Sequence, residues 1–138
     1  MAECINCKKE LNQGRNCTGK YCSSACQRLY EFEAYIRAWK NGEVDGTTQG
    51  GASAYIRRYL FIKYNKKCCE CGWSEINSVT NRVPLEVEHI DGNYMNNKEE
   101  NLKLICPNCH SLTPTYKGLN RGKGRHHRLT RYKDGKSF

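Results

Sequence analysis

The chain is poor in what builds a large apolar interior. Among 138 residues there are three phenylalanines, two tryptophans, two methionines and three prolines, and only 38% of the chain is hydrophobic. Its mean hydropathy is −0.84. A single large core is excluded by this deficit, and a thin core in a short chain needs staples. No apolar run approaches the roughly 20 residues of a membrane helix, so no membrane segment is expected. The opening stretch MAECINCKKELNQ also has no apolar run, which argues against a signal peptide and for the reducing cytoplasm. Acidic residues are the remaining shortage: 14 Asp and Glu face 23 Lys and Arg, a formal charge of +9. A chain with that imbalance suits a polyanion. Nucleic acid is expected before membrane, because no basic helix has a long apolar face.

Cysteine, by contrast, is plentiful, and its spacing says what the ten thiols do. Cys4/Cys7, Cys68/Cys71 and Cys106/Cys109 are separated by two residues and Cys22/Cys26 by three. Close pairs present thiolates to a tetrahedral Zn2+ ion, whereas a disulfide framework has no need of them. Two structural zinc sites are therefore expected. The first takes Cys4, Cys7, Cys22 and Cys26, with Cys17 left over or exchanged for Cys22. The second takes Cys68, Cys71, Cys106 and Cys109, with Cys69 left over or exchanged for Cys68. The expected fold is small, α+β and metal-stabilised, and its N-terminal part resembles treble-clef or zinc-ribbon modules.

Apolar spacing places the elements. In SACQRLYEFEAYIRAWK, from Ser24 to about Lys40, Leu29, Phe32, Ile36 and Trp39 share one helical stripe, with Ser23 or Ser24 as cap and Gly42 as stop. The stretch 42–53, with glycines at 42, 46, 50 and 51, reads as a linker between an N-terminal unit, 1–41, and a second domain, 54–117. Ala54 to Asn65 is a second helix with Ile56, Tyr59 and Leu60 inward and Arg57 and Arg58 on a basic face. Pro84 precedes a strand, Leu85 to Ile90, in which Leu85 and Val87 alternate with Glu86 and Glu88. A polar loop leads to a second strand, Leu102 to Ile105, and Pro107 opens a helix carrying Cys109 and His110.

Four thiolates leave a zinc ion no open position, so chemistry requires a different donor set. Glu88, His89 and His110 provide it. An imidazole with an ordinary pKa near 6.5 can take a proton from water at neutral pH, and a carboxylate with a second imidazole suits a divalent Mg2+ or Mn2+ ion. Phosphodiester hydrolysis needs both functions. Each residue also has a plainer reading. His110 can stand in for a cysteine on zinc, and Asn101 can be a turn cap.

The arrangement EHIDGN followed by ENLKLICPNCHS resembles the HNH nucleases of the ββα-metal fold, in the branch held by two Cys-x-x-Cys knuckles. The resemblance runs from Cys68 to about Lys117 and extends more weakly to phage or mobile-element members upstream. It implies that His89 is the general base, that Asn101 holds the loop and orients His89, and that His110 is a metal ligand. Glu88 stands where the family more often has Asp as the other ligand, with Glu86 as the alternative on the same strand. The implied activity is metal-dependent endonuclease cleavage of double-stranded DNA, leaving 5′-phosphate and 3′-hydroxyl ends. The implied setting is a bacterial or phage-infected cell, in a homing, restriction or packaging role, with the protein a monomer or weak dimer. Competing readings are a non-catalytic zinc-finger DNA-binding protein and an RNA-directed zinc protein.

After His110 the chain becomes a basic arm, 118–138. From Thr115 onward eight Lys or Arg face Asp134 alone. Together with Arg57 and Arg58, Lys117, Arg121, Lys123, Arg125 and Arg128 are the expected nucleic-acid contacts, binding phosphate in a salt-dependent way.

Overall fold

The computed structural model describes residues 2–12, 14 and 19–120. Cys17, Arg121, Lys123, Arg125 and Arg128 lie outside the described residues. The chain divides into two compact units, Met1–Val44 and Asp45–Phe138.

In the first unit a tight knuckle at Cys4–Cys7 is closed by an antiparallel bridge between Glu3 and Glu10. It is followed by helix α1, Ser24–Lys40. The Ser23 hydroxyl accepts from the Cys26 N–H at 3.2 Å, capping the helix as its sequence leads one to expect. At the far end Gly42 adopts a φ of +77°. Its N–H reaches Trp39 O and that of Glu43 reaches Ala38 O, a Schellman ending that side chains with a Cβ form less readily. Phe32, Ile36 and Trp39 of the apolar stripe are buried, while Leu29 is 39% exposed.

The second unit begins inside the stretch expected to be a linker. Strands β1, Thr47–Thr48, and β2, Gly51–Ala52, form a small antiparallel hairpin, and the Thr47 hydroxyl bonds Met95 O at 3.3 Å. Residues 45–53 are thus built into the second unit. The composition signalled flexibility, but the side-chain and main-chain bonds of Thr47 and Thr48 hold the glycines in a fixed turn.

Ser53 then caps helix α2, Ala54–Lys63, through its hydroxyl and the Ile56 N–H. The helix stops two residues before the expected Asn65, because Asn65 and Lys66 both take left-handed φ values, +52° and +56°. Strands β3, Glu86–His89, and β4, Leu102–Ile105, pair antiparallel, with Glu88 opposite Lys103 and His89 opposite Leu102. The last described helix of regular α form, α3, spans Pro107–Ser111, with proline in its first turn. Helix α2 packs on β4 and α3 on β3, and Ile56, Leu60, Leu104 and Ile105 make the fully buried centre of this thin core. Strand, loop, strand and helix follow in the expected order. Among the described residues no helix is long and apolar enough to cross a membrane.

Candidate active site

Both cysteine sets come together. In each, the four sulfurs lie within 4.8 Å of one another. Cys71 and Cys106 are 3.7 Å apart, Cys7 and Cys22 3.6 Å, and Cys22 and Cys26 3.4 Å. A tetrahedral ion with Zn–S bonds of about 2.3 Å separates its sulfurs by roughly 3.8 Å, so both sets fit zinc, and the separations are far too long for disulfides. Burial opposes ionisation of Cys68, but N–H groups of Cys71, Cys106 and Glu70 outweigh it and bring the thiol down to about 6. Burial is likewise outweighed at Cys4, which N–H groups of Cys7, Cys22 and Asn6 bring to about 6. The Cys22 thiol, donating to Cys26 and Cys7, is pushed up to about 12. Each set is a group of thiols sharing protons around a thiolate-stabilising knuckle, the donor chemistry that a Zn2+ ion converts to four thiolates. Cys69 is exposed and its sulfur stands outside the set; its N–H is used on Leu104 O at 2.9 Å.

Beside the second sulfur set lies a cavity of about 500 Å³, open to solvent and lined by Glu86, Glu88, His89 and His110 among others. The zinc-suited helix start puts His110 directly behind Cys109, and α3 packs that histidine against β3. Its Nε2 is 2.9 Å from Glu88 Oε2, and its Nδ1 meets the Glu86 carboxylate. His110 is therefore turned away from the sulfurs and held between two carboxylates. Glu88 is only 5% exposed, as covered as the apolar Leu85 at 4%. Its second oxygen accepts from the Thr115 hydroxyl at 2.9 Å, since a buried carboxylate must find partners. An octahedral divalent ion with bonds of about 2.1 Å holds neighbouring ligands roughly 3.0 Å apart, which matches the Glu88–His110 separation. Glu88 and His110 would be two ligands to such an ion and would leave its other positions open.

His89 has a different partner. Its Nε2 lies 2.7 Å from Asn97 Oδ1. The Asn97 amide nitrogen is 3.1 Å from Tyr94 O, an acceptor only, so the amide cannot be turned round without setting oxygen against oxygen. Asn97 Oδ1 therefore accepts, His89 Nε2–H donates, and the lone pair of the neutral ring is on Nδ1. The Asn101 side chain does something else. It donates to Asp91 Oδ1 at 2.9 Å and Asn96 O at 2.8 Å and accepts from the Asp91 N–H at 3.0 Å, tying the two ends of the loop between the strands. The Asn101 amide thus bonds within the loop, and the side-chain amide on His89 Nε2 is that of Asn97.

Burial opposes ionisation of Asp91 in the same loop, but bonds from the Asn96 amide, the Asn93 N–H and the Asn101 amide prevail and hold its carboxyl below the ordinary range. Arg57 and Lys117 line the cavity, so two of the expected phosphate contacts reach the site, whereas Arg58, exposed on α2, is not among the lining residues. The Tyr116 ring stands edge-on to His110, 5.3 Å between centroids, and Lys117 lies over that tyrosine.

Comparison with known proteins adds two relatives. Over 57 residues, 41% of the chain, the sequence is 51% identical to the H-N-H endonuclease F-TflIV of Escherichia phage T5. Over 84% of the chain it is 25% identical to the Zorya protein ZorE of Escherichia coli. The second match is longer than the second unit and so enters the first. The chain spans only 24% and 33% of the lengths of these relatives. No family model matches the chain, and no solved structure matches it.

Asn97 and Thr115 were invisible in the sequence. Asn97 is one of several asparagines in NYMNNKEEN, and nothing local separates it from Asn93 or Asn96. Thr115 follows Pro114 in a stretch with no pattern; only packing brings its hydroxyl to Glu88.

Proposed function

We propose that the second unit is a metal-dependent HNH endonuclease acting on double-stranded DNA, with His89 as general base, Glu88 and His110 as ligands of a Mg2+ or Mn2+ ion, and Asn101 as the residue that holds the loop. The observation that carries the reading is a buried carboxylate against an imidazole in the same cavity as a second imidazole whose free lone pair is defined. The similarity to a phage H-N-H endonuclease supports it.

In this reading the scissile phosphate enters the cavity with Arg57 and Lys117 on its oxygens. Glu86 takes the His110 Nδ1–H and so keeps Nε2 available beside Glu88, the role carboxylates commonly play behind a ligating histidine. Thr115 fixes the remaining oxygen of Glu88. When bound there, the divalent ion supplies positive charge for the phosphate and the leaving 3′-oxygen. His89 Nδ1 takes a proton from water as that oxygen attacks phosphorus. The P–O3′ bond breaks, the 3′-oxygen is protonated from solvent, and the ends are a 5′-phosphate and a 3′-hydroxyl. The basic sequence after Lys117 supplies further phosphate contacts.

Plasmid incubated with the full chain and Mg2+ or Mn2+ tests this directly, with EDTA as control and matched RNA as competing substrate. His89→Ala should lower cleavage by about 10²–10⁴-fold while zinc content and DNA binding are retained. Full activity in that variant would remove His89 as the base. DNA binding with no cleavage by the wild type would instead favour a zinc-finger binding protein.

A further inference from the structure

We infer that Thr47, in the glycine-rich hairpin, is a positioning residue for His89, its hydroxyl holding the amide of Asn97, 50 residues downstream, that selects the imidazole tautomer. The inference rests on the proposed role of His89 as base for its effect on rate, but not for its effect on the tautomer.

Asn97 is 2% exposed, so each of its polar atoms needs a partner within the protein. Its amide nitrogen has two, Tyr94 O at 3.1 Å and Thr47 Oγ1 at 3.0 Å, which uses both N–H bonds. The Thr47 hydroxyl is in turn 3.3 Å from Met95 O, a carbonyl that can only accept. That bond takes the hydroxyl proton and turns the oxygen lone pairs toward Asn97. Two acceptor-only carbonyls therefore set the direction of the whole chain of bonds: Thr47 donates to Met95, Asn97 to Thr47 and Tyr94, and His89 to Asn97.

Thr47 is itself fixed. Its N–H is 2.8 Å from Asp45 Oδ1, it pairs with Ala52 across the hairpin, and the hairpin runs into Ser53, the cap of α2. The stretch that composition marks as a flexible connector thus acts as a brace behind the proposed base. Without the Thr47 hydroxyl an N–H of the buried Asn97 amide loses this acceptor, and the amide loses one of the contacts that orient it. The His89 ring is then free to populate the Nδ1–H form, in which the lone pair is on Nε2 and not on Nδ1.

The tautomer of His89 can be read by ¹⁵N NMR of the full-length, zinc-loaded chain at fixed neutral pH, in the wild type, Thr47→Val and Thr47→Ser. The wild type should be Nε2–H, Thr47→Val should show a mixture with Nδ1–H, and Thr47→Ser should restore the wild-type pattern. On plasmid, kcat should fall by about tenfold in Thr47→Val, with KM unchanged, and return in Thr47→Ser. A wild-type ring that is Nδ1–H overturns the inference without any variant being made, which keeps it testable should Thr47→Val not fold. An Nε2–H ring and wild-type kcat in folded Thr47→Val overturn it as well. A tautomer change in Thr47→Val, with no cleavage by the wild type, supports the brace and removes the nuclease reading alone.

Discussion

In the first unit the knuckle closes with Cys4 N–H on Lys9 O at 2.8 Å and Lys8 N–H on Cys4 O at 2.9 Å; in the second, Cys68 N–H meets Trp73 O and Gly72 N–H meets Cys68 O, both at 2.9 Å. The residue after the second cysteine is left-handed in both, Lys8 at +62° and Gly72 at +77°. The remaining two thiols sit at a helix start in both, Cys22 just before the Ser23 cap of α1 with Cys26 in its first turn, and Cys106 as the cap of α3 with Cys109 inside it. The same local solution therefore appears twice, and what differs is the chain threaded between the pairs. Between Cys71 and Cys106 lie β3, the loop and β4, which carry Glu88 and His89 to the sulfur set, and α3 returns His110 to them. Between Cys7 and Cys22 there is no such hairpin among the described residues, and the residue after Cys26 is Gln27, whose amide bonds Glu31 along its own helix at 2.9 Å. The sulfur cluster ties the chain together, and the inserted hairpin carries the residues of the proposed site.

The largest effect should come from breaking the second cluster. A structural zinc site is worth on the order of 10–16 kcal/mol, as much as the whole stability of an ordinary domain, so Cys106→Ser should lose one zinc equivalent and the dispersed amide spectrum of residues 54–120. Cys7→Ser should lose the other equivalent and leave that spectrum in place. Metal analysis with NMR of both variants decides whether the two modules are separable; collapse of the second unit in Cys7→Ser would end the comparison as drawn.

Next in size are the groups the first module lacks. Glu88→Ala or His110→Ala should weaken Mn2+ binding by more than about a hundredfold, and Glu86→Gln by about 10–100-fold, measured by calorimetry on zinc-loaded protein. Glu31→Ala, on the first unit, should leave that binding untouched.

Smaller effects separate the turns. Gly92 has a φ of +75°, and a Cβ there would stand 2.1 Å from Asn120 Oδ1. Gly72 has nearly the same φ, +77°, but open space around it. Gly72→Ala should cost about 1–2 kcal/mol from conformation alone, and Gly92→Ala should cost more, read from denaturant midpoints. In the opposite direction Lys8→Gly should stabilise the first module by up to about 1 kcal/mol.

The smallest effect is on pH. Because the folded carboxyl of Asp91 lies below its ordinary value, its contribution to stability is present above about pH 4 and is lost as pH falls through the folded value. Amide exchange in the loop from Ile90 to Asn101 should therefore accelerate in that acid range, and Asp91→Asn should flatten the response. An unchanged profile in Asp91→Asn would mean that other groups open the loop.

Much of this was legible in the linear chain because the signals are local. Cysteines at two- and three-residue spacings, the serine cap at 23, proline at the head of α3 and glycine after α1 each act within a few residues, and each appears where its chemistry places it. Period-two alternation in β3 identified which residues share a face of the strand. It did not say that Glu88 would be as covered as Leu85, because burial depends on α3 and Thr115 arriving from elsewhere. Composition marked 42–53 as glycine-rich without placing the hairpin at 47–52, since glycine reports freedom in the unfolded chain and not the bonds that Thr47 finds at Met95 and Asn97.

By itself the sequence determined the two sulfur sets and the order of strands and helix, and it offered Glu88 and His110, with Glu86 as the alternative, as candidates for one site. Only the tertiary structure decided which amide faces His89, which nitrogen of that ring keeps its lone pair, and that a glycine-rich stretch far upstream stands behind it. The physical reason is that spacing governs bonds within a few residues, whereas a tautomer is set by acceptors that packing assembles from distant parts of the chain.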